Sequence, residues 1–268
     1  MAKPSLQGKV VWITGASRGI GAALAEEFAR KGAHLLLSAP ASEQAGLEQT
    51  RQRCASPDAH HLIPFDLTSP AEIAAAQRQA IAVAGRIDIL INNAGMTHRS
   101  RILDTSLEVD RRIMEVNYFG PVALTKLVAP EMIRNGGGQV VAISSVLGLI
   151  ATPQRSAYIA AKHALNGFFE ALRTETAGQG IAVTLVFPGF VNTDISAHAL
   201  TGDGGTYGKQ DQGQAGAMTP IELARRVVAG VIAREPRLLI AGKERALVYL
   251  GRFSPALVSQ IVRRVAVT

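Results

Sequence analysis

The chain is short of thiols: Cys54 is the only cysteine in 268 residues. One thiol supports neither an internal disulfide framework nor a zinc site that needs two or more thiolates. Long apolar runs are missing too. No stretch reaches the ~18 uninterrupted apolar residues of a spanning helix. Charged residues are only 18% against 47% hydrophobic, so a sizeable core can form and a disordered chain is excluded. The opening residues Met1 to Gln7 carry no apolar signal core, which predicts a cytoplasmic protein in a reducing compartment. Acids fall short of bases, and the net charge is +7. That excess is local. Arg234 to Thr268 holds seven Lys/Arg against Glu235 and Glu244, which leaves +2 of the +7 for the rest of the chain. The body therefore gives no reason to expect nucleic acid as a partner, and the basic signal belongs to the C-terminal tail.

What is present is a rhythm of short aliphatic runs and longer helical segments. Strands are predicted at Val10–Ile13, Leu35–Leu37, Leu62–Phe65, Ile87–Ile91, Val140–Ile143, Val183–Phe187 and Arg237–Ile240. Strands apolar on both faces and separated by helices imply a parallel sheet covered on both sides. Right-handed crossovers make it doubly wound. The expected fold is α/β: a single-domain, Rossmann-type sheet of about seven parallel strands over residues 1–268. Ligands on such sheets bind beyond the carboxyl ends of the strands. The segments there are Thr14 to Gly21, Asn92 to Gly95, Ser144–Ser145 and Pro188–Gly189, and they belong on one edge.

Gly15, Gly19 and Gly21 stand between a strand and a helix, with Ser17, Arg18 and Ile20 among them. Glycines permit the tight turn, and the helix N-terminus offers free N–H groups to a pyrophosphate. The spacing is Gly-x-x-x-Gly-x-Gly, not the commoner Gly-x-Gly-x-x-Gly. With Asn92-Asn93-Ala94-Gly95 downstream, the chain resembles the single-domain short-chain dehydrogenase/reductase family from about residue 8 to about residue 235. Ser156 to Phe169, together with Arg134 to Gly138, is similar to its 11-beta-hydroxysteroid-dehydrogenase-like and dehydrogenase/reductase member 7 group.

The resemblance implies a nicotinamide cofactor. Asp66 and Leu67 would contact adenine, while Asn93, Ala94, Gly95 and Val116 would line the nucleoside pocket. Asp66 can also be read as an acid placed before a helix. Charge speaks to the choice of cofactor. The second strand ends in Ser38-Ala39-Pro40 without a carboxylate, and Arg18 can neutralise a 2′-phosphate, so NADP is expected over NAD. No basic residue stands at 39 or 40, where NADP-dependent relatives often carry one, and the nearest acid is Glu43.

Tyr158 and Lys162 are four apart in a predicted helix and share a face. A phenol of pKa near ~10 is a poor acid or base at neutral pH. A nearby ammonium stabilises the phenolate, so the pair can exchange a proton with a substrate oxygen. By the family's spacing, Ser145 would hold that oxygen and Ser144 would pack. Asn117, expected early in a helix, would support a proton relay to Lys162. Pro188, Gly189, Val191 and Thr193 would hold the carboxamide of nicotinamide.

Leu147, Leu149, Ile150 and Phe190 read either as an apolar pocket wall or as core. The pocket reading suits a lipophilic ketone or aldehyde and its alcohol. His98, Arg99 and Arg101 read as a solvated loop or as the border of the pocket mouth. His60 and His61 alternate faces and give no metal site. Glycine-rich residues 194–218 read as a mobile substrate lid. Residues 243–268 read as a basic amphipathic tail, either docked on its own domain, against another subunit, or peripheral on a membrane. A homodimer or homotetramer follows from the resemblance. Rival readings are a sugar-nucleotide epimerase or dehydratase, a non-catalytic NADP sensor, and a membrane-surface protein using the tail.

Overall fold

Alternation along each strand sends side chains to two buried faces. The computed structural model describes residues 5–209 and 217–264. Along the chain run β1 (Val10–Thr14), α1 (Gly19–Arg30), β2 (His34–Ser38), α2 (Gln44–Arg53), β3 (His61–Leu62), α3 (Pro70–Ala84), β4 (Ile89–Asn92) and α4 (Leu107–Met114). After them come α5 (Gly120–Arg134), β5 (Gly138–Ile143), α6 (Ser156–Glu175), β6 (Ile181–Pro188), α7 (Pro220–Ile232), β7 (Arg237–Ile240), α8 (Glu244–Phe253) and α9 (Pro255–Arg264). The strands form one parallel sheet in the order β3-β2-β1-β4-β5-β6-β7. The order reverses between β1 and β4, which is where a doubly wound sheet opens its crevice.

Val11, Ile13, Leu35, Leu37, Val141 and Ile143 point to one face, where Leu24 and Phe28 of α1 and Val227 of α7 cover them. Val10, Trp12, Leu36, Leu90, Val140 and Leu185 point to the other, beneath Leu124 and Val128 of α5 and Phe169 of α6. Each fully buried Leu, Val or Phe contributes on the order of 1.5–3 kcal/mol, so register is strongly held: a one-residue slip would expose a whole face.

Two elements depart from the sequence expectation. The third strand is only His61–Leu62, shorter than Leu62–Phe65. Pro64 has no N–H to donate, but Ile63 and Phe65 still donate to the Leu37 and Ala39 carbonyls (2.9 and 3.0 Å). The chain thus continues along β2 as an irregular edge. Asn117, expected early in a helix, lies deep inside one, in a π-helical turn over Glu115–Phe119 that joins α4 to α5. Pro121 lacks the N–H that would bond the Asn117 carbonyl four residues back, which favours the wider turn.

Candidate active site

The four polar segments at the carboxyl ends of the strands meet in one crevice of about 980 Å³. Every residue named from sequence as catalytic, cofactor-binding or substrate-binding lines it. In chain order these are Gly15, Ser17, Arg18, Gly19, Ile20 and Gly21; Asp66 and Leu67; Asn93, Ala94, Gly95, Val116 and Asn117; Ser145, Leu147, Tyr158 and Lys162; and Pro188, Gly189, Phe190, Val191 and Thr193.

Helix α1 is built to receive an anion. Helices α3, α4 and α7 are capped by Ser69, Ser106 and Thr219, each accepting a backbone N–H. The start of α1 has no side-chain cap and no acid in its first turn, so its amides stay available. The loop before it is held in shape. Gly15 and Gly19 take φ of +65° and +57°. The Asn93 amide donates to the Thr14 and Gly15 carbonyls (2.9 and 3.1 Å), and the Thr14 hydroxyl accepts from the Asn93 and Ala94 N–H groups (both 3.1 Å). A Cβ on Gly15 would lie 2.8 Å from the Ala94 Cα, so bare backbone is needed there. This cradle fits a dinucleotide pyrophosphate.

At the adenosine end, Arg18 is already engaged. Its guanidinium lies 3.0 Å from the Glu43 carboxylate, and Glu43 also accepts from the Ser17 hydroxyl. Asp66 accepts from the Thr68 N–H and hydroxyl (2.8 and 2.9 Å), while Ser69 provides the cap of α3. Asp66 therefore shapes the turn and faces the crevice as well.

At the other end, Tyr158 and Lys162 lie one turn apart on α6, with the ammonium 5.6 Å from the ring centroid. Burial pushes the Tyr158 phenol up from its usual pKa. A hydrogen bond with Ser145 and the positive charges of Arg155 and Arg99 pull it back. Burial lowers Lys162 to about 8. Its ammonium donates to the Ile143 carbonyl (2.8 Å). Asn117 donates to the Met96 and Ile113 carbonyls (both 2.9 Å), and its Oδ1 is buried without a partner. An acceptor left open in this way fits a water beside Lys162. Ser145 accepts from the Leu147 N–H (3.1 Å), whereas the Ser144 hydroxyl is buried and unbonded.

His98 and Arg99 are not a solvated loop: both are buried, and only Arg101 is exposed. Backbone bonds explain this. Leu200 donates to the Thr97 carbonyl (3.0 Å), Arg99 donates to the Leu200 carbonyl (2.8 Å), and the Arg99 guanidinium donates to the Ser196 hydroxyl (3.0 Å). The described part of the 194–218 segment is thus tied to the strand-four loop. Residues 210–216 lie outside the described residues, as do 265–268 of the tail. Leu147, Ile150 and Phe190 line the crevice, while Leu149 packs against core side chains. The tail is docked on its own sheet edge: Val248, Val258 and Val262 pack on Val146 and Ile150, and Leu247, Ile261 and Val262 face the crevice.

Arg99 lines the crevice, as the pocket-mouth reading has it, whereas sequence reasoning missed Arg155 and Glu244. Arg155 stands three residues before Tyr158, close enough to suspect. Glu244 accepts from the Phe190 N–H (3.2 Å) and keeps a buried oxygen without a partner; nothing in the local sequence marks it.

Comparison with known proteins agrees with this geometry. The sequence profile described as short chain dehydrogenase matches residues 9–203. Dehydrogenase/reductase SDR family member 7B of Xenopus laevis is 45% identical over 263 residues, which is 96% of this chain and 81% of that protein. Dehydrogenase/reductase SDR family protein 7-like of Drosophila melanogaster is 39% identical over 268 residues, 98% of this chain and 82% of that one. A short-chain dehydrogenase structure from Streptomyces avermitilis superposes with TM-score 0.77 at 28% identity, covering 95% of this chain and 96% of its own. A second, from Burkholderia phymatum in complex with NAD, gives TM-score 0.82 at 24% identity over 96% of each chain and speaks to the fold alone. Among the described residues, no helix is long and apolar enough to cross a membrane.

Proposed function

The chain belongs to the short-chain dehydrogenase/reductase family and is an oxidoreductase; on that premise we propose that it interconverts a lipophilic ketone or aldehyde and its alcohol with NADP(H), Tyr158 serving as acid and base. The observation that carries the reading is the convergence of Tyr158, Ser145, Lys162 and the glycine cradle on one crevice.

The bound cofactor supplies or accepts the hydride. The chain's own residues do the rest. The α1 amides and Gly15–Gly21 receive the pyrophosphate, and Pro188 to Thr193 hold the nicotinamide end. Ser145, which lines the crevice with Tyr158, presents the substrate oxygen to the phenol. In reduction Tyr158 gives its proton to that oxygen; in oxidation it takes one back. Lys162 and Asn117 connect the site to solvent protons. Leu147, Ile150, Phe190 and Leu247 form an apolar wall, which supports a lipophilic substrate.

NADP is supported by the absence of a carboxylate on Ser38, Ala39 and Pro40 and by Arg18 at that end of the crevice. The Glu43 pairing of Arg18 weighs the other way and narrows the preference.

Tyr158→Phe is expected to fold and bind dinucleotide yet turn over at least ~100-fold more slowly, the scale of a lost general acid–base. A turnover screen of steroids, retinoids, quinones and acyl ketones with each cofactor checks this. Turnover within a few-fold of wild type would remove Tyr158 from the role.

A further inference from the structure

Glu244, the first residue of α8, reaches back to the loop after β6, where its Oε1 accepts from the Phe190 N–H (3.2 Å). Its Oε2 is buried without a partner. That oxygen is wedged between two glycines: a Cβ built on Gly189 or on Gly242 would lie 3.2 Å from it. The loops after β6 and β7 touch here, since the same Cβ on Gly189 would stand 3.0 Å from the Cβ of Ala241. A carboxylate oxygen kept there without a donor costs stability, so closing the fold does not account for it. The loop that Glu244 holds is the one read as the nicotinamide holder, and its amides are divided. Gly189 donates to the Ile240 carbonyl (2.9 Å) and Asn192 to the Met218 carbonyl (3.0 Å). Phe190 donates to Glu244. Among the described residues the Val191 N–H has no partner, and Val191 lines the crevice, as Glu244 does.

We propose that Glu244 is a positioning residue for the nicotinamide ring: by taking the Phe190 N–H it sets the tilt of the loop and leaves the Val191 N–H free for the carboxamide. A peptide unit is planar, so fixing the Phe190 N–H fixes the plane of the 189–190 unit and the direction in which Val191 starts. Without that acceptor the Phe190 amide turns to water and the loop gains other orientations. Ordering it again on binding then costs affinity, and that cost falls on the ring and not on the adenosine half. Glu244 touches no reacting atom and acts through the backbone of 190 and 191. The inference rests on the reading of the crevice as a nicotinamide cofactor site, and it is independent of the substrate and of the role of Tyr158.

The test is calorimetry on the full chain with two matched ligands, NADPH and 2′-phospho-ADP-ribose, which lacks only the nicotinamide ring. NADH and ADP-ribose form a second pair. Glu244→Ala is expected to weaken the dinucleotide about 10-fold and to leave the ring-less ligand within about 2-fold of wild type. Glu244→Met, which fills similar space without an acceptor, is expected to match it and serves if the alanine variant does not fold. Glu244→Gln keeps an acceptor for the Phe190 N–H and is expected to hold dinucleotide affinity within ~3-fold of wild type. A merely structural role would weaken both ligands together. Three results would each overturn the proposal while wild type still binds dinucleotide: equal weakening of both ligands in the alanine or methionine variant, no change in either ligand, or a glutamine variant as weak as those two. Wild type that binds neither dinucleotide would overturn the cofactor reading itself, and the proposal with it.

Discussion

An ammonium buried with only a carbonyl for its partner is a costly group, and Lys162 is such a group. Its pKa falls to about 8 from 10.5. At ~1.4 kcal/mol per unit, this is a stability penalty on the order of 3 kcal/mol at neutral pH. Lys162→Met lifts that penalty but leaves the Ile143 carbonyl without its donor, at a cost of about 1–3 kcal/mol. The two nearly cancel, so unfolding free energy near pH 7 is expected within ~2 kcal/mol of wild type while turnover is lost. The sign with pH follows from proton counts. Between the folded value and the unfolded one, the unfolded chain keeps a proton that the folded chain has shed, so wild-type stability rises with pH across that window and the variant's does not. Urea melts near pH 7 and near pH 10 check this, and a wild-type-to-variant gap that stays constant would contradict it. At the opposite end of the crevice, Glu43→Gln removes a negative charge beside Arg18 and Ser17. The expected outcome is about a tenfold rise in affinity for NADP relative to NAD, read by calorimetry, since one pair at partly exposed separation is worth about 1–2 kcal/mol. An unchanged ratio would mean that the 2′-phosphate lies beyond the reach of Glu43.

Among the elements, α1 and the α4–α5 helix carry the site through what they omit. Helix α1 lacks a cap, and its first turn includes Gly21, where a Cβ would collide with the Gly15 carbonyl oxygen. Gly21→Ala therefore has to push the loop away from its helix. We expect a folded protein destabilised by about 1–3 kcal/mol that binds dinucleotide at least ~10-fold more weakly, measured by melting and by calorimetry. Equal affinity would show that the loop yields elsewhere. In the long α4–α5 helix the π turn widens one step of the spiral, and Asn117 lies there with its amide bonded to the strand-four loop. A regular helix would turn that residue to a different face.

Over the whole molecule, what could be read from the sequence is what local rules control. Short aliphatic runs marked the strands. The glycine triplet, the Asn92 to Gly95 turn and Ser145 sit at strand ends, Tyr158 and Lys162 lie early on the helix that follows β5, and a parallel sheet must gather strand ends on one edge. Their meeting in one crevice is therefore a consequence of topology that sequence order already contains. The burial of His98 and Arg99, the arginines around Tyr158, the Glu43 hold on Arg18 and the inward docking of α8 and α9 were decided only by tertiary structure. Apart from Arg155, these depend on segments distant in the chain, such as residues 97–99 with 196–200 and Phe190 with Glu244. Charge and burial at such positions are set by what packs against them, and no periodicity within a segment encodes the neighbour that a fold will bring.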